Sequence, residues 1–253
     1  MIRYNLELAF PDKTDDERDA IARGVARHFA RSTLDAIRIQ RLTPDELMST
    51  VTVHGWSNVE SALERGRGIF FLTAHIGSWE VAALATGLLL PDPGLAVINR
   101  PLDNPHLEQV LARLRTLYGN HVFGKRNILR EMIDHLRANG GIGILIDQRV
   151  LEQEGILVPF FGHPAWTHPI LARISRKTRA AVVPTVAMRE GPGRYGLHYD
   201  PAVYVDELPE EEREDVPLTA HYLAILEQAI RRQPDQWLWY HDRWKQLRLQ
   251  SST

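Results

Sequence analysis

The sequence predicts an α/β fold: a mostly parallel central sheet flanked by helices, with an N-terminal helical extension. Three observations carry this. From residue 69 onward, short apolar runs of strand character alternate with stretches of helical periodicity, which implies βαβ units. Before residue 66 the periodicity is mainly helical. The 253-residue chain is 44% apolar and has no obvious linker, repeat or low-complexity tract. It is read as a single domain over 1–253, with 1–66 as the N-terminal helical part and 67–253 as the α/β core.

The elements follow in order. Residues 15–43 form a helix, with Ile21, Val25, Phe29 and Leu34 at helical intervals. Thr43-Pro44-Asp45 has the composition of a helix start. A strand at 51–54 and a helix at 58–64 precede the alternating region. There, strands at 69–74, 95–100, 121–123, 141–146 and 180–189 are separated by helices at 77–90, 104–118, 127–139 and 169–178. Residues 195–205 make an antiparallel partner strand, and helices at 216–232 and 237–247 close the chain. The acidic run 206–215 reads as a solvated loop.

The composition excludes several classes. A net charge of −2 is wrong for a general nucleic-acid binder. There is no cysteine, hence no disulfide framework, thiolate zinc site or cysteine nucleophile. No apolar stretch reaches the ~18 residues of a spanning helix, and the N-terminal MIRYNLELAFPDKTDDERD turns acidic too early for a signal peptide. Membrane contact is expected to be peripheral or to depend on residues outside this sequence.

In open α/β sheets ligands sit outside the carboxyl ends of the strands. Three of the apolar strands end in polar groups: His75, Arg100, and Asp147 with Gln148. His75 opens an H-x4-E spacing to Glu80 inside IFFLTAHIGSWE. On a continuous helix the two side chains would point about 140° apart, so they meet only if His75 precedes the helix and a turn at Gly77 brings it back. A carboxylate on one ring nitrogen would fix the tautomer and stabilise the imidazolium. Arg100, Arg113, Arg115, Lys125, Arg126 and Arg130 form a basic cluster among few acids, suited to phosphate or carboxylate groups.

The stretch 155–168, GILVPFFGHPAWTH, reads as a loop from its Gly and Pro content, yet it is apolar. With the basic Arg173, Arg176, Lys177 and Arg179 behind it, it is expected to line a groove for an aliphatic chain or to touch an anionic membrane surface. GPGRYG at 191–196 lies between strands and reads as a hairpin turn, not a dinucleotide loop. No metal site is expected. His163 and His168 are the nearest thing to one, with Pro164 and the loop setting against them. The aromatic run Trp237–Tyr240 with Trp244 reads as core packing.

These residues together resemble the bacterial lipid A acyltransferase family, the late lauroyl/myristoyl transferases of lipopolysaccharide assembly. These transferases belong to the H-x4-[DE] lysophospholipid-acyltransferase-like superfamily. The resemblance runs nearly end to end, through YNLELAFPD, TAHIGSWE, NRPLDNPHLEQVLARLR, the strand end IDQ, VPFFG and PDQWLWYHDRWK. It implies a glycerolipid-acyltransferase-like fold with His75 as base and Glu80 as its partner. Arg115 takes the place of the family's important helix arginine, Asp147 that of its strand-end acid, and Arg100 that of the R-P pair. The related mycobacterial mannoside acyltransferases imply that an acid at the Asp147 strand end orients the histidine instead, so the two partners stand as alternatives. Family members usually carry a membrane-spanning helix ahead of the N-L-E-L segment, and this chain begins at that segment. They also often have Asn or a large residue where Ser78 stands.

The implied activity is O-acyl transfer from an acyl thioester on acyl carrier protein or coenzyme A to a hydroxyl of a lipid A-type glycolipid or related lipid. No cofactor is implied beyond that donor. The expected location is the cytoplasmic face of the bacterial inner membrane, held peripherally. The competing expectations are a non-catalytic lipid-binding protein on the same scaffold and a thioester hydrolase.

Overall fold

The structure is a computed structural model that describes residues 1–98, 104–123 and 128–250. Its elements are α1 (Ile2–Ala9), α2 (Asp15–Ile39), α3 (Pro44–Met48), β1 (Val51–His54), α4 (Trp56–Glu64), β2 (Ile69–Thr73), α5 (Trp79–Leu89) and β3 (Leu95–Ile98). There follow α6 (Pro105–Arg115), β4 (His121–Phe123), α7 (Ile128–Arg137), β5 (Gly141–Leu145), β6 (Ile156–Phe160) and β7 (His163–Thr167). Last come α8 (Ile170–Thr178), β8 (Ala181–Gly191), β9 (Arg194–Tyr199), α9 (Asp215–Arg232) and α10 (Lys245–Gln250).

Seven strands form one sheet in the order β1-β9-β8-β2-β5-β3-β4, and only the β8–β9 pair is antiparallel. This is the mostly parallel, helix-flanked sheet that the alternation predicted. β1 joins it beside β9, so the first 66 residues contribute a strand as well as helices. Both faces of β2 are buried. Phe70 and Leu72 enter a core shared with α7, α8 and α9, while Ile69 and Phe71 enter one shared with α4 and α5. A strand covered on both sides reads as a continuous apolar run, which is why 69–74 stood out.

Local signals place the helices. α2 and α3 each begin with a capping box, Thr14 with Glu17 and Thr43 with Glu46, and Pro44 occupies the first turn of α3.

Two expectations fail. Residues 155–168 are not a loop: β6 and β7 form an antiparallel hairpin in which Pro159 pairs with Pro164. Val158, Phe160 and Ala165 are buried in the core with Trp237, Trp239 and Trp244 and do not line a groove. Phe161, buried with them, edges a pocket shared with Leu8, Phe10 and His163. Residues 237–247 are largely irregular, with helix only over Lys245–Gln250. The main chain there bridges Trp237 to Ile76 and donates from Leu238 N to His75 O at 3.0 Å. The N-terminal segment, assigned no element from sequence, is a helix. Its buried Asn5 donates to the carbonyls of Trp239 and His241 at 2.9 and 2.7 Å, tying the two ends of the chain together.

Candidate active site

β2 and β5 are neighbours in register, Thr73 opposite Leu145, so the residues just beyond their ends meet. His75 lies two residues past β2 and Asp147 two residues past β5. The Asp147 carboxylate is 1% exposed and accepts three hydrogen bonds. His75 Nδ1 donates to Oδ1 at 2.9 Å, the His75 main-chain N–H to Oδ2 at 3.0 Å, and the Trp237 indole N–H to Oδ2 at 2.8 Å. Burial alone would raise the carboxyl, but the charge and hydrogen bonds of His75 and the Trp237 bond outweigh it and hold it at about 2. An ionised Asp147 keeps the ring proton on Nδ1, which leaves the Nε2 lone pair free to act as a base. The Gln148 amide nitrogen stands 3.3 Å from Nε2, within donating reach.

The turn after β2 sets this aim. Gly77 has φ +60°, and a Cβ there would lie 2.1 Å from the Ala187 carbonyl, so only glycine fits. The Gly77 and Ser78 N–H groups donate to Gln236 O and Ala187 O at 2.9 and 2.8 Å. The buried His28 donates from Nε2 to Gly77 O at 3.0 Å. Behind Asp147, the Arg149 main-chain N–H donates to His241 Nε2 at 2.8 Å. Burial pushes His241 down to about 4, so its ring stays neutral and can accept.

Glu80 is not the partner of His75. It sits on the first turn of α5, where Arg115 of α6 holds it through a fork, Nη2 to Oε1 at 2.8 Å and Nε to Oε1 at 3.1 Å. The helical turn carries Glu80 toward α6 and away from the β5 end. Thus the geometry favours the strand-end acid of the two alternatives. Arg113, two positions from Arg115, is exposed and absent from the cavity lining, because residues two apart on a helix project about 200° apart. Arg100, Lys125 and Arg126 lie outside the described residues.

His75, Trp79, Glu80, Arg115, Gln148 and His168 edge a cavity of about 690 Å³ that continues between the sheet and α5. Its sheet wall is Phe71 and Thr73 of β2, Gly143 and Leu145 of β5, and Leu95 and Val97 of β3, alternate residues that share one face. Its helix wall is Ala82, Ala83 and Thr86. Gly143 lies between Phe71 and Val97 in register, and with the small α5 side chains it opens the space. Thr73 Oγ1 is buried in this wall without a hydrogen-bond partner among the described residues. His163 and His168 are engaged separately, with Leu8 O and the Ile170 N–H.

The sequence reading missed Trp237 and His28. Trp237 was read as core, and it is core, at 1% exposure. The usable signal was chemical: a buried indole needs an acceptor for its N–H, and Asp147 at a strand end is one.

A family model described as "Bacterial lipid A biosynthesis acyltransferase" matches residues 1–246. The Lipid A biosynthesis palmitoleoyltransferase of Escherichia coli (strain K12) is 26% identical over 96% of this chain and 77% of its own length. The Lipid A biosynthesis lauroyltransferase of the same organism is 27% identical over 97% and 78%. The solved 1-acyl-sn-glycerophosphate acyltransferase of Thermotoga maritima aligns at a TM-score of 0.45 and 13% identity over 94% of this chain and 95% of that one, too distant a likeness to argue from.

Proposed function

The chain belongs to the bacterial lipid A biosynthesis acyltransferase family and is an acyltransferase, and we propose that it moves a fatty acyl chain from a thioester to a hydroxyl of a lipid A-type glycolipid with His75 as general base. The donor thioester is carried by acyl carrier protein or coenzyme A. The observation that carries this reading is the Trp237–Asp147–His75 chain of hydrogen bonds, which presents His75 Nε2, faced by the Gln148 amide, at the rim of the cavity between α5 and the sheet.

The acyl chain lies in the cavity between α5 and the sheet, with its thioester carbonyl at the His75 end. The acceptor hydroxyl takes the position opposite Nε2 that the Gln148 amide now faces. As its oxygen attacks the carbonyl carbon, its proton passes to Nε2, and Asp147 stabilises the imidazolium that forms. The tetrahedral intermediate then collapses. The C–S bond breaks, the ester remains, and the thiolate takes the proton back from His75. Neither an acyl-enzyme nor a Ser or Cys nucleophile is needed.

The oxyanion requires donors. The Gly77 and Ser78 N–H groups are committed elsewhere, so the Gln148 amide and the unpartnered Thr73 hydroxyl are assigned this role. The Glu80–Arg115 pair braces α5 against α6 at the rim, and Arg115 offers its guanidinium to anionic groups of donor or acceptor.

No helix among the described residues is long and apolar enough to cross a membrane. Leu34 and Ile37 of α2 are exposed, with Arg31 three positions before Leu34, and Val110 of α6 is exposed three positions before Arg113. Exposed apolar side chains with basic neighbours suit an anionic lipid surface, in keeping with work at the cytoplasmic face of the inner membrane.

The test is to incubate the protein with acyl-carrier-protein or coenzyme A thioesters and an under-acylated lipid A precursor in mixed micelles. Mass spectrometry should show the precursor gaining one acyl group, with one thiol released per acyl transferred. Thiol release with no acylated product would replace this reading with hydrolysis.

Gly143→Leu tests the acyl site. A Cβ at Gly143 meets Val97 Cγ1 at an ordinary 3.5 Å, so the backbone accepts it and the larger side chain projects into the cavity. Each methylene denied burial forfeits ~0.8 kcal/mol, or about fourfold in kcat/KM. The variant should keep activity on short donors and lose it stepwise on long ones. A uniform loss at every chain length would place the acyl chain elsewhere.

A further inference from the structure

Away from the candidate active site, three ligand-type side chains converge at the sheet edge formed by β1. His54 of β1 lies directly opposite His198 of β9, and their rings stack with centroids 4.5 Å apart and planes 12° from parallel. Glu190 falls at the register irregularity between Arg189 and Gly191, where β8 begins its turn toward β9. One donor atom from each of the three lies within 4.8 Å of the other two.

Gly196 makes the convergence possible. A Cβ there would lie 2.3 Å from Glu190 Oε1 and 2.9 Å from His198 Nε2, so a side chain at this position would require the ends of these two side chains to shift. Gly196 is not among the glycines with positive φ. What the position uses is the missing side chain, not backbone freedom. The cluster therefore has open space under two converging donors and a third donor, His54, set opposite His198 by strand register.

We propose that His54, His198 and Glu190 bind a divalent metal ion of borderline softness, zinc above all, which ties the edge strand β1 to β9 and β8. Two imidazole nitrogens and one carboxylate oxygen are a zinc donor set, with water as the fourth ligand. Magnesium and calcium take oxygen ligands and are disfavoured here. Bonds of 2.0–2.2 Å in a tetrahedron put donors about 3.4 Å apart. Stacked rings hold their in-plane lone pairs in parallel planes, so one imidazole must turn out of the stack for both nitrogens to reach one ion. His54 and Glu190 are exposed, which leaves room for that turn. β8 stands between β9 and β2, so the ion has no part in chemistry at His75. Its effect is to fasten a strand that pairs with a single neighbour in the sheet.

The experiment uses the full chain, stripped with a chelator and then titrated with zinc chloride by isothermal calorimetry and in thermal unfolding, with magnesium chloride in parallel. One zinc per chain should bind and the unfolding temperature should rise with zinc concentration, as mass action on the native state requires. Magnesium should do neither. His54→Ala, His198→Ala and Gly196→Ala should each weaken zinc binding about tenfold or more. The Gly196 variant is the sharpest, since it keeps all three ligands and fills only the space beneath them. Each variant's metal-free unfolding temperature reports whether its fold is intact. Zinc affinity unchanged in a His54→Ala/His198→Ala double variant, or no stoichiometric binding to the parent chain, would overturn the site. Neither result bears on acyl transfer.

Discussion

Replacing His75 by alanine is expected to lower kcat/KM for acyl transfer by about 10²- to 10⁴-fold, the range that a positioned general base supplies. Positioning of donor and acceptor and the oxyanion donors remain, so some activity above background should persist. KM for the donor should change little, because the cavity walls on β2, β3, β5 and α5 are untouched. Alanine also strips one of three hydrogen bonds from a buried carboxylate, and leaving a buried acceptor short of a partner costs about 1–3 kcal/mol. His75→Asn separates that effect from chemistry. Its side-chain amide can still donate to Asp147 Oδ1 but offers no base toward the cavity. Both variants should be equally inactive, with the asparagine variant closer to the parent in thermal unfolding. Near-normal transfer by a folded His75→Asn protein would remove His75 from the mechanism.

How much of this was legible in the sequence follows from the range of each interaction. The sheet was legible because strands buried on both faces print as apolar runs, and because parallel strands must end on one side. That second fact alone placed His75 beside Asp147 and Gln148. The β6–β7 hairpin was hidden because its prolines read as loop signals. Pro159 and Pro164 oppose each other in register, and proline is tolerated in a two-stranded ribbon where its missing N–H would point out of the ladder. The irregular 237–247 segment was hidden for a different reason. Its aromatic spacing resembles a helix, but its backbone serves the turn at 75–77 from more than 150 residues away.

The H-x4-E spacing shows the limit of a local motif. It marks a strand-to-helix junction correctly, yet the acid it contains is spent on α6 through Arg115. The acid that reaches the histidine lies 72 residues on, at a strand end that only the sheet order brings close. Trp237 completes the arrangement from 90 residues beyond that. The spacing located the base, and the topology located its partner.

The second large effect is expected from Asp147→Asn, on the order of 10² to 10⁴ in kcat, and its cause is a tautomer. Oδ2 accepts from two donors, the His75 main-chain N–H and the Trp237 indole N–H. An asparagine must turn its carbonyl oxygen to that side, since its amide there would face two N–H groups. The amide nitrogen is then aimed at His75 Nδ1, where it can only donate. Nδ1 becomes the acceptor, the ring proton moves to Nε2, and the atom facing the cavity is no longer a base. The shape is preserved and two of the three bonds survive, so the fold should hold and donor binding should persist. The ring nitrogens report the switch directly. In ¹⁵N NMR, neutral His75 should be the Nδ1–H tautomer in the parent and the Nε2–H tautomer in the variant. Glu80→Gln provides the contrast, because it loosens the Arg115 fork at the rim and leaves Asp147 on Nδ1, so the parent tautomer should persist. If Glu80→Gln shifted the His75 tautomer and Asp147→Asn did not, the spacing motif would be the relay after all, and the strand-end acid only a brace for Trp237.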